Sequence, residues 1–181
     1  MIAYAITDPS TLDFNYLEQD LKRFASKASM IVYRDKINSS YAYDAKVFVA
    51  AAKSFDRVLL HGDYLLAHTL GVTGVHLKST QFNDIEKAKN LSLFVVVSTH
   101  TLDEAVKAQS SGADMITLSP IFDTPNKGKA LGIDVLKDVV ASVSIPVLAL
   151  GGILTQKQID TCVKVGAKGF ASIRYFEERL R

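Results

Sequence analysis

Tryptophan is absent from this 181-residue chain, and there is a single cysteine, Cys162. One cysteine excludes an internal disulfide framework and fits a reducing cytoplasm. Four prolines and ten glycines are too few for a linker or low-complexity stretch, so residues 1–181 read as one domain. No apolar run approaches the roughly 18–20 residues that span a bilayer. The opening MIAYAITDPS lacks the basic and apolar regions of a signal peptide. Charge of one sign is lacking too. Lys and Arg number 21 against 19 Asp and Glu, and a net charge of +2 gives no basis for a nucleic-acid or membrane-surface partner.

What is present is alternation. Short runs rich in Val, Ile and Leu recur at Ile2–Ile6, Met30–Tyr33, Val58–Leu60, Gly74–Leu77, Phe94–Val97, Met115–Leu118, Val147–Leu150 and Gly169–Ser172. Runs of this kind are strands of a parallel sheet buried on both faces. Between them lie helical spacings such as Leu17, Leu21, Phe24 and Phe48, Ala51, Ala52, Phe55. Thr101-Leu102-Asp103-Glu104 and Thr155-Gln156-Lys157-Gln158 are capping-box patterns that start two of the helices. Eight strands alternating with helices allow a closed (β/α)₈ barrel or an open doubly wound sheet. Barrels usually take about 250 residues and seldom fewer than about 200, so a barrel of this length needs short loops and a shortened helix, best placed after Leu77. No Gly-x-Gly-x-x-Gly follows the first strand, which weighs against the dinucleotide-binding alternative.

In a barrel the loops after the strands form the active face. Arg34 and Lys36 follow strand 2, two residues apart, so both point one way in extended chain. Ser98-Thr99-His100 follows strand 5, Ser119 to Lys127 follows strand 6, and Gly151-Gly152-Ile153 follows strand 7. The glycine pair allows close backbone approach to a ligand, and the helix starting near Thr155 favours an anion. Arg34, Lys36 and Lys127 supply charge for a second anionic group such as a diphosphate. Each feature also has a plain reading. The glycines make a tight turn, Arg34 and Lys36 form a solvated pair, and Ser98 opens a helix. His76 is a structural strand residue, His68 an ordinary helix side chain, and Cys162 a core residue of the seventh helix.

Taken in order, Tyr4-Ala-Ile-Thr-Asp8, Arg34-Asp-Lys36, Gly74-Val-His-Leu77, Ser98 to Ala105, Gly112-Ala-Asp114, Pro120-Ile-Phe-Asp-Thr124 with Lys127, Ile145-Pro-Val147, Gly151-Gly-Ile153 and Gly166-Ala-Lys-Gly169 resemble the thiamine phosphate synthase/TenI superfamily. The resemblance covers nearly the whole chain and implies the compact TIM barrel. Synthases of the family join a pyrimidine diphosphate to a thiazole phosphate. TenI relatives include tautomerases that aromatise the thiazole phosphate. By position, the resemblance implies that Arg34, Lys36 and Ser98 hold the diphosphate. It further implies that Thr124 and Lys127 contact both phosphate groups, and that Gly151, Gly152 and Ile153 seat the thiazole phosphate.

The departures narrow this. Where synthases carry Asn-Asp after strand 3, the chain has His61-Gly62, and where they carry a second acidic residue it has Gln81. Those carboxylates hold Mg²⁺, which wants hard anionic oxygens. The reading is therefore no metal ligand, with Mg²⁺ expected only if synthase activity is retained, through Asp63 or Asp84. Tautomerases place a histidine where the chain has Pro120. His61 and Lys127 remain as candidate catalytic side chains; His61 either exchanges protons near neutral pH or merely fills the vacated metal position. Arg174 stands where synthases have a serine near the thiazole phosphate, and either binds or blocks it. The expectation is a divergent TenI-like protein binding thiazole phosphate or thiamine phosphate, if active a transferase or isomerase of the thiamine pathway. A synthase and a non-catalytic regulatory binder are the alternatives. A homodimer is compatible with the fold, with no interface assigned.

Overall fold

The computed structural model describes residues 1–177. Eight strands alternate with seven helices: β1 (Ile2–Ile6), α1 (Leu17–Ala25), β2 (Met30–Tyr33), α2 (Tyr41–Ala51), β3 (Arg57–His61), α3 (Tyr64–Thr69), β4 (Gly74–Leu77), α4 (Ile85–Asn90), β5 (Phe94–Thr99), α5 (Leu102–Ser110), β6 (Met115–Leu118), α6 (Gly132–Ser142), β7 (Val147–Leu150), α7 (Gln156–Lys164) and β8 (Gly169–Ser172). Each strand pairs in parallel with the next, and β8 returns to β1, closing the barrel. The α/β barrel expectation holds, and the open sheet is excluded.

Alternation along the strands divides the core in two. Tyr4, Ile6, Met30, Val32, Leu59, Val96, Met115, Leu148 and Ala171 fill the barrel interior. Their neighbours, among them Ala5, Ile31, Leu60, Val97 and Ile116, face outward onto the helices. The same parity carries Arg34, His61, His76 and Ser98 inward at the strands' C-terminal ends. Strands β3 and β5 run past the sequence-predicted bounds, so His61 and Ser98 are strand residues and not loop residues. Ser98 accordingly does not open a helix; Thr101 caps α5.

Length is saved on one side. Helices α3 and α4 have six residues each, α4 following a 3-10 turn at Phe82–Asp84. The shortened helix after Leu77 is found, and α3 matches it. Helix α2 stops at Ala51, so Phe55 is buried from the connecting turn and not from the helix. Past β8 a 3-10 turn, Arg174–Phe176, is anchored by Phe176, which stacks on Phe170 with ring centroids 5.8 Å apart. Burial of such a ring contributes roughly 1.5–3 kcal/mol, and Arg23 adds a hydrogen bond to the Phe176 carbonyl. That anchor fixes the backbone at Arg174. No helix among the described residues is long and apolar enough to cross a membrane.

Candidate functional site at the barrel mouth

A cavity of about 570 Å³ opens at the C-terminal ends of the strands. Arg34, Lys36, His61, Ser98, Thr124, Lys127, Gly151, Gly152, Ile153 and Arg174 all line it, so the structure gathers every sequence-predicted site residue into one place. They do not form one kind of surface. The cavity has a backbone wall and a cationic wall.

The backbone wall is built by the loops after β7 and β8. Every carbonyl from residue 150 to 153 accepts a hydrogen bond from the protein. Ile121 N donates to Leu150 O (2.9 Å) and Phe122 N to Gly151 O (3.0 Å). Gln158 Nε2 donates to Gly152 O (2.9 Å), and Ser172 Oγ to Ile153 O (3.0 Å). The capping box of α7 is complete, and Gln158 Oε1 takes the amides of Leu154 and Thr155. Among the described residues, the amides of Gly152, Ile153, Ile173 and Arg174 donate to no protein acceptor. Ser172 Oγ also accepts from Tyr175 N (3.1 Å), so one hydroxyl ties the two loops together.

The glycines have a stronger reason than ligand approach. Gly151 and Gly152 have φ of 97° and 69°, a region that favours glycine. A Cβ at Gly151 would lie 2.7 Å from Pro120 Cα, and one at Gly152 2.6 Å from the Asp123 carbonyl oxygen. The loop after β6 thus packs directly on this backbone. Ile153 contributes only main chain to the cavity, since its side chain is buried in the outer core. Thr124 turns its hydroxyl back to the Phe122 carbonyl (2.9 Å), whereas Arg174 is exposed at the rim.

The cationic wall lies across the mouth, on the loops after β2, β4 and β6. Arg34 approaches Asp8 at 3.9 Å. Lys36, Lys78 and Lys127 have no carboxylate within ion-pair distance among the described residues. The positive field of Arg34, together with burial and the charges of Lys127 and Lys78, holds the Lys36 ammonium below its ordinary pKa. Burial, then the charges of Arg34, Lys36 and Lys78, push His61 down to about 4. Its imidazole is therefore neutral near pH 7, a hydrogen-bonding group and a weak base.

Beneath both walls is a buried chain that the sequence did not advertise. Tyr4 is fully buried, and its hydroxyl meets His76 Nδ1 at 3.0 Å. A buried hydroxyl donates to the acceptor it has, so Nδ1 accepts and the proton sits on Nε2. Nε2 then donates to Ser98 Oγ at 2.9 Å. Ser98 keeps its own hydrogen for an acceptor in the cavity. Burial, with His61 and Arg34 nearby, depresses His76 to about 3. His76 is thus structural, as expected, and also the support of a cavity donor. Parity with the inward residue Val96 was the signal for Ser98, whereas the place of His76 comes from strand register, which sets it beside His61. His100, missed as a site residue, also lines the mouth and places Nδ1 2.8 Å from the Ser119 carbonyl.

A divalent cation does not fit the residues present where the resemblance puts Mg²⁺. Gly62 has no side chain, and a Cβ there would lie 3.4 Å from Lys78 Cε. Gln81 offers a neutral oxygen already accepting from Lys78 N (3.1 Å), while its Nε2 donates to Gly62 O (2.8 Å) and Asp84 Oδ2 (3.2 Å). The two expected substitutes are engaged as well: Asp63 caps α3 through Leu66 N, and Asp84 pairs with Lys87 at 3.0 Å. Hard anionic oxygens do not converge here.

Comparison with known proteins agrees with the geometry. Residues 3–176 match the thiamine monophosphate synthase family. A protein of Aquifex aeolicus named "Putative thiamine-phosphate synthase 2" is 38% identical, over 97% of both chains. A thiamine-phosphate synthase of Dictyoglomus turgidum is 32% identical, over 80% of this chain and 68% of its own. Among solved structures, a thiamine phosphate pyrophosphorylase from Pyrococcus furiosus superposes with a TM-score of 0.81 at 26% identity, covering 95% of this chain and 85% of that one. With the whole barrel matched and its mouth built of two anion-suited walls, this chain belongs to the thiamine monophosphate synthase/TenI family.

Proposed function

We propose that the barrel mouth binds a thiazole phosphate or thiamine phosphate, with the phosphate on the backbone wall. One observation carries this reading: the carbonyls of residues 150–153 are all engaged by protein donors, whereas the amides of Gly152, Ile153, Ile173 and Arg174 have no protein acceptor among the described residues. Amides left in this state beside a guanidinium suit an anion. Arg174 then binds the phosphate, and Thr124 and Ile153 shape the seat through main chain and methyl contacts. The ring of the ligand points toward His61 and the Ser98 hydroxyl. An anion bound opposite offsets the positive charges that depress His61, which brings its imidazole closer to proton exchange on a thiazole. This is the TenI-like reading, placed in the cytoplasm, where Cys162 stays reduced.

A second reading, thiamine phosphate synthesis, is favoured by the cationic wall, which suits a diphosphate leaving group, and by the names of the relatives. Calorimetric titration with thiazole phosphate and with the pyrimidine diphosphate, separately and together, with and without Mg²⁺, separates the readings. Binding of thiazole phosphate is the expected result. Thiamine phosphate formed from the pair would favour the synthase. Proton exchange at the thiazole, lost in His61→Ala, would favour the tautomerase, and tight binding with neither would leave a regulatory binder. A cavity that binds no thiazole phosphate and no thiamine phosphate would sink the proposal.

A further inference from the structure

Four cations at the mouth face one another with little counter-charge, which is unfavourable until an anion arrives. Arg34 has its one carboxylate contact at the long distance of 3.9 Å, and Lys36, Lys78 and Lys127 have none among the described residues. Lys78 is the unexpected member. It follows β4 with the inward parity of His76, and its aliphatic stem crosses the space above Gly62. A Cβ added at Gly62 would lie 3.9 Å from the Lys78 ammonium nitrogen. Gln81 holds the arrangement by bonding both the Lys78 amide and the Gly62 carbonyl.

We infer that the Lys78 ammonium stands in for a divalent cation, so that Arg34, Lys36, Lys78 and Lys127 bind a diphosphate group without metal. The inference rests on the two-walled reading of the mouth given above. A lysine is a compact point charge with three donors, able to meet several oxygens of one polyphosphate. Unlike a metal ion, it arrives with the fold and needs no carboxylates. Carboxylates at this place would instead pair with it and cancel it. Gly62 and Gln81 supply a gap and a neutral clamp, and neither competes for the ammonium. The probe class is therefore an inorganic diphosphate or a diphosphate ester.

The test is calorimetry with inorganic diphosphate on the wild-type protein, Lys78→Gln and Lys78→Arg, each in chelator and in Mg²⁺, with thiazole phosphate as the probe of the opposite wall. Wild type is expected to bind diphosphate in chelator, with no gain from Mg²⁺. Lys78→Gln should bind it about tenfold more weakly, the loss of one charged hydrogen-bonding partner, and Lys78→Arg should recover most of that. Thiazole phosphate affinity should stay within about twofold in all three, since its phosphate meets the backbone amides and Arg174, not Lys78. Diphosphate binding that requires Mg²⁺, an unaltered affinity in Lys78→Gln, or no diphosphate binding by wild type would each overturn the inference. Failure of thiazole phosphate alone would remove the reading of the backbone wall and leave the Lys78 result standing.

Discussion

The two walls of the mouth are made by different means. The wall after β7 and β8 is main chain, locked by the Ser172 hydroxyl, the Gln158 amide and the packed loop after β6. The wall after β2, β4 and β6 is a set of long side chains held in place by few contacts. A main-chain wall is altered only by damaging the fold, whereas a side-chain wall can exchange its chemistry one residue at a time. The difference teaches where family resemblance is informative. It speaks for the main-chain wall, which comes with the barrel, and says less about the wall of side chains.

Substitutions aimed at one wall should therefore act differently from those aimed at the other. The largest effect belongs to Gly152→Val. A Cβ there meets the Asp123 carbonyl and Phe122 at a positive φ. The expected loss is about 2–4 kcal/mol in urea denaturation, with loss of thiazole phosphate binding; unchanged stability would show that the loop contact is not confining. The next effect is pH. His61 and His76 titrate at about 4 and about 3 when folded, below the ordinary 6.5. The unfolded chain thus takes up protons first, and stability should be full above pH 6.5 and fall progressively toward about pH 3. His76→Asn should flatten that fall in urea midpoints measured across the range.

Tyr4→Phe comes third. It removes the donor to His76 Nδ1 inside the barrel, and about 1–2 kcal/mol should be lost by the same measurement. Both walls should stay in place, so thiazole phosphate affinity distinguishes this variant from Gly152→Val. The smallest effect is Lys36→Ala. Its exposed side chain contributes almost nothing to folding, yet its charge depresses His61. The melting temperature should not move, while the His61 ring titration followed by NMR should rise by a fraction of a pH unit. A change in melting temperature instead would mean that the cationic wall is part of the core.

Much of the fold was legible because its strands carry an even mark. Runs such as Met30–Tyr33 and Val147–Leu150 are apolar throughout, as buried parallel strands must be, and their limits coincide with the observed ones. The limits failed where the strand ends in polar residues. His61, Ser98 and Thr99 belong to strands, but composition assigns them to loops. In the site, residues grouped by sequence neighbourhood, such as Gly151 to Ile153, were legible. Tyr4 with His76, or Gly62 with Lys78, were not. Those pairs lie 72 and 16 positions apart; the first meets across the barrel interior and the second through the register of β3 on β4, neither of which composition reveals. The capping boxes show the same limit on a small scale. Thr155 and Gln158 form the reciprocal pair, but Glu104 reaches past Thr101 to the amide of His100 (2.6 Å).

The Gln81 clamp couples the loop after β3 to the loop after β4, by bonding both the Gly62 carbonyl and the Lys78 amide. An aspartate introduced at position 62 alone meets the ammonium of Lys78, and one introduced at position 81 alone abandons the Gly62 carbonyl and stands against Asp84. Either single step loses a working arrangement before a metal site exists. Positions 62, 78 and 81 therefore act as one unit, and a carboxylate placed at either 62 or 81 would disturb the other two before any metal site is formed.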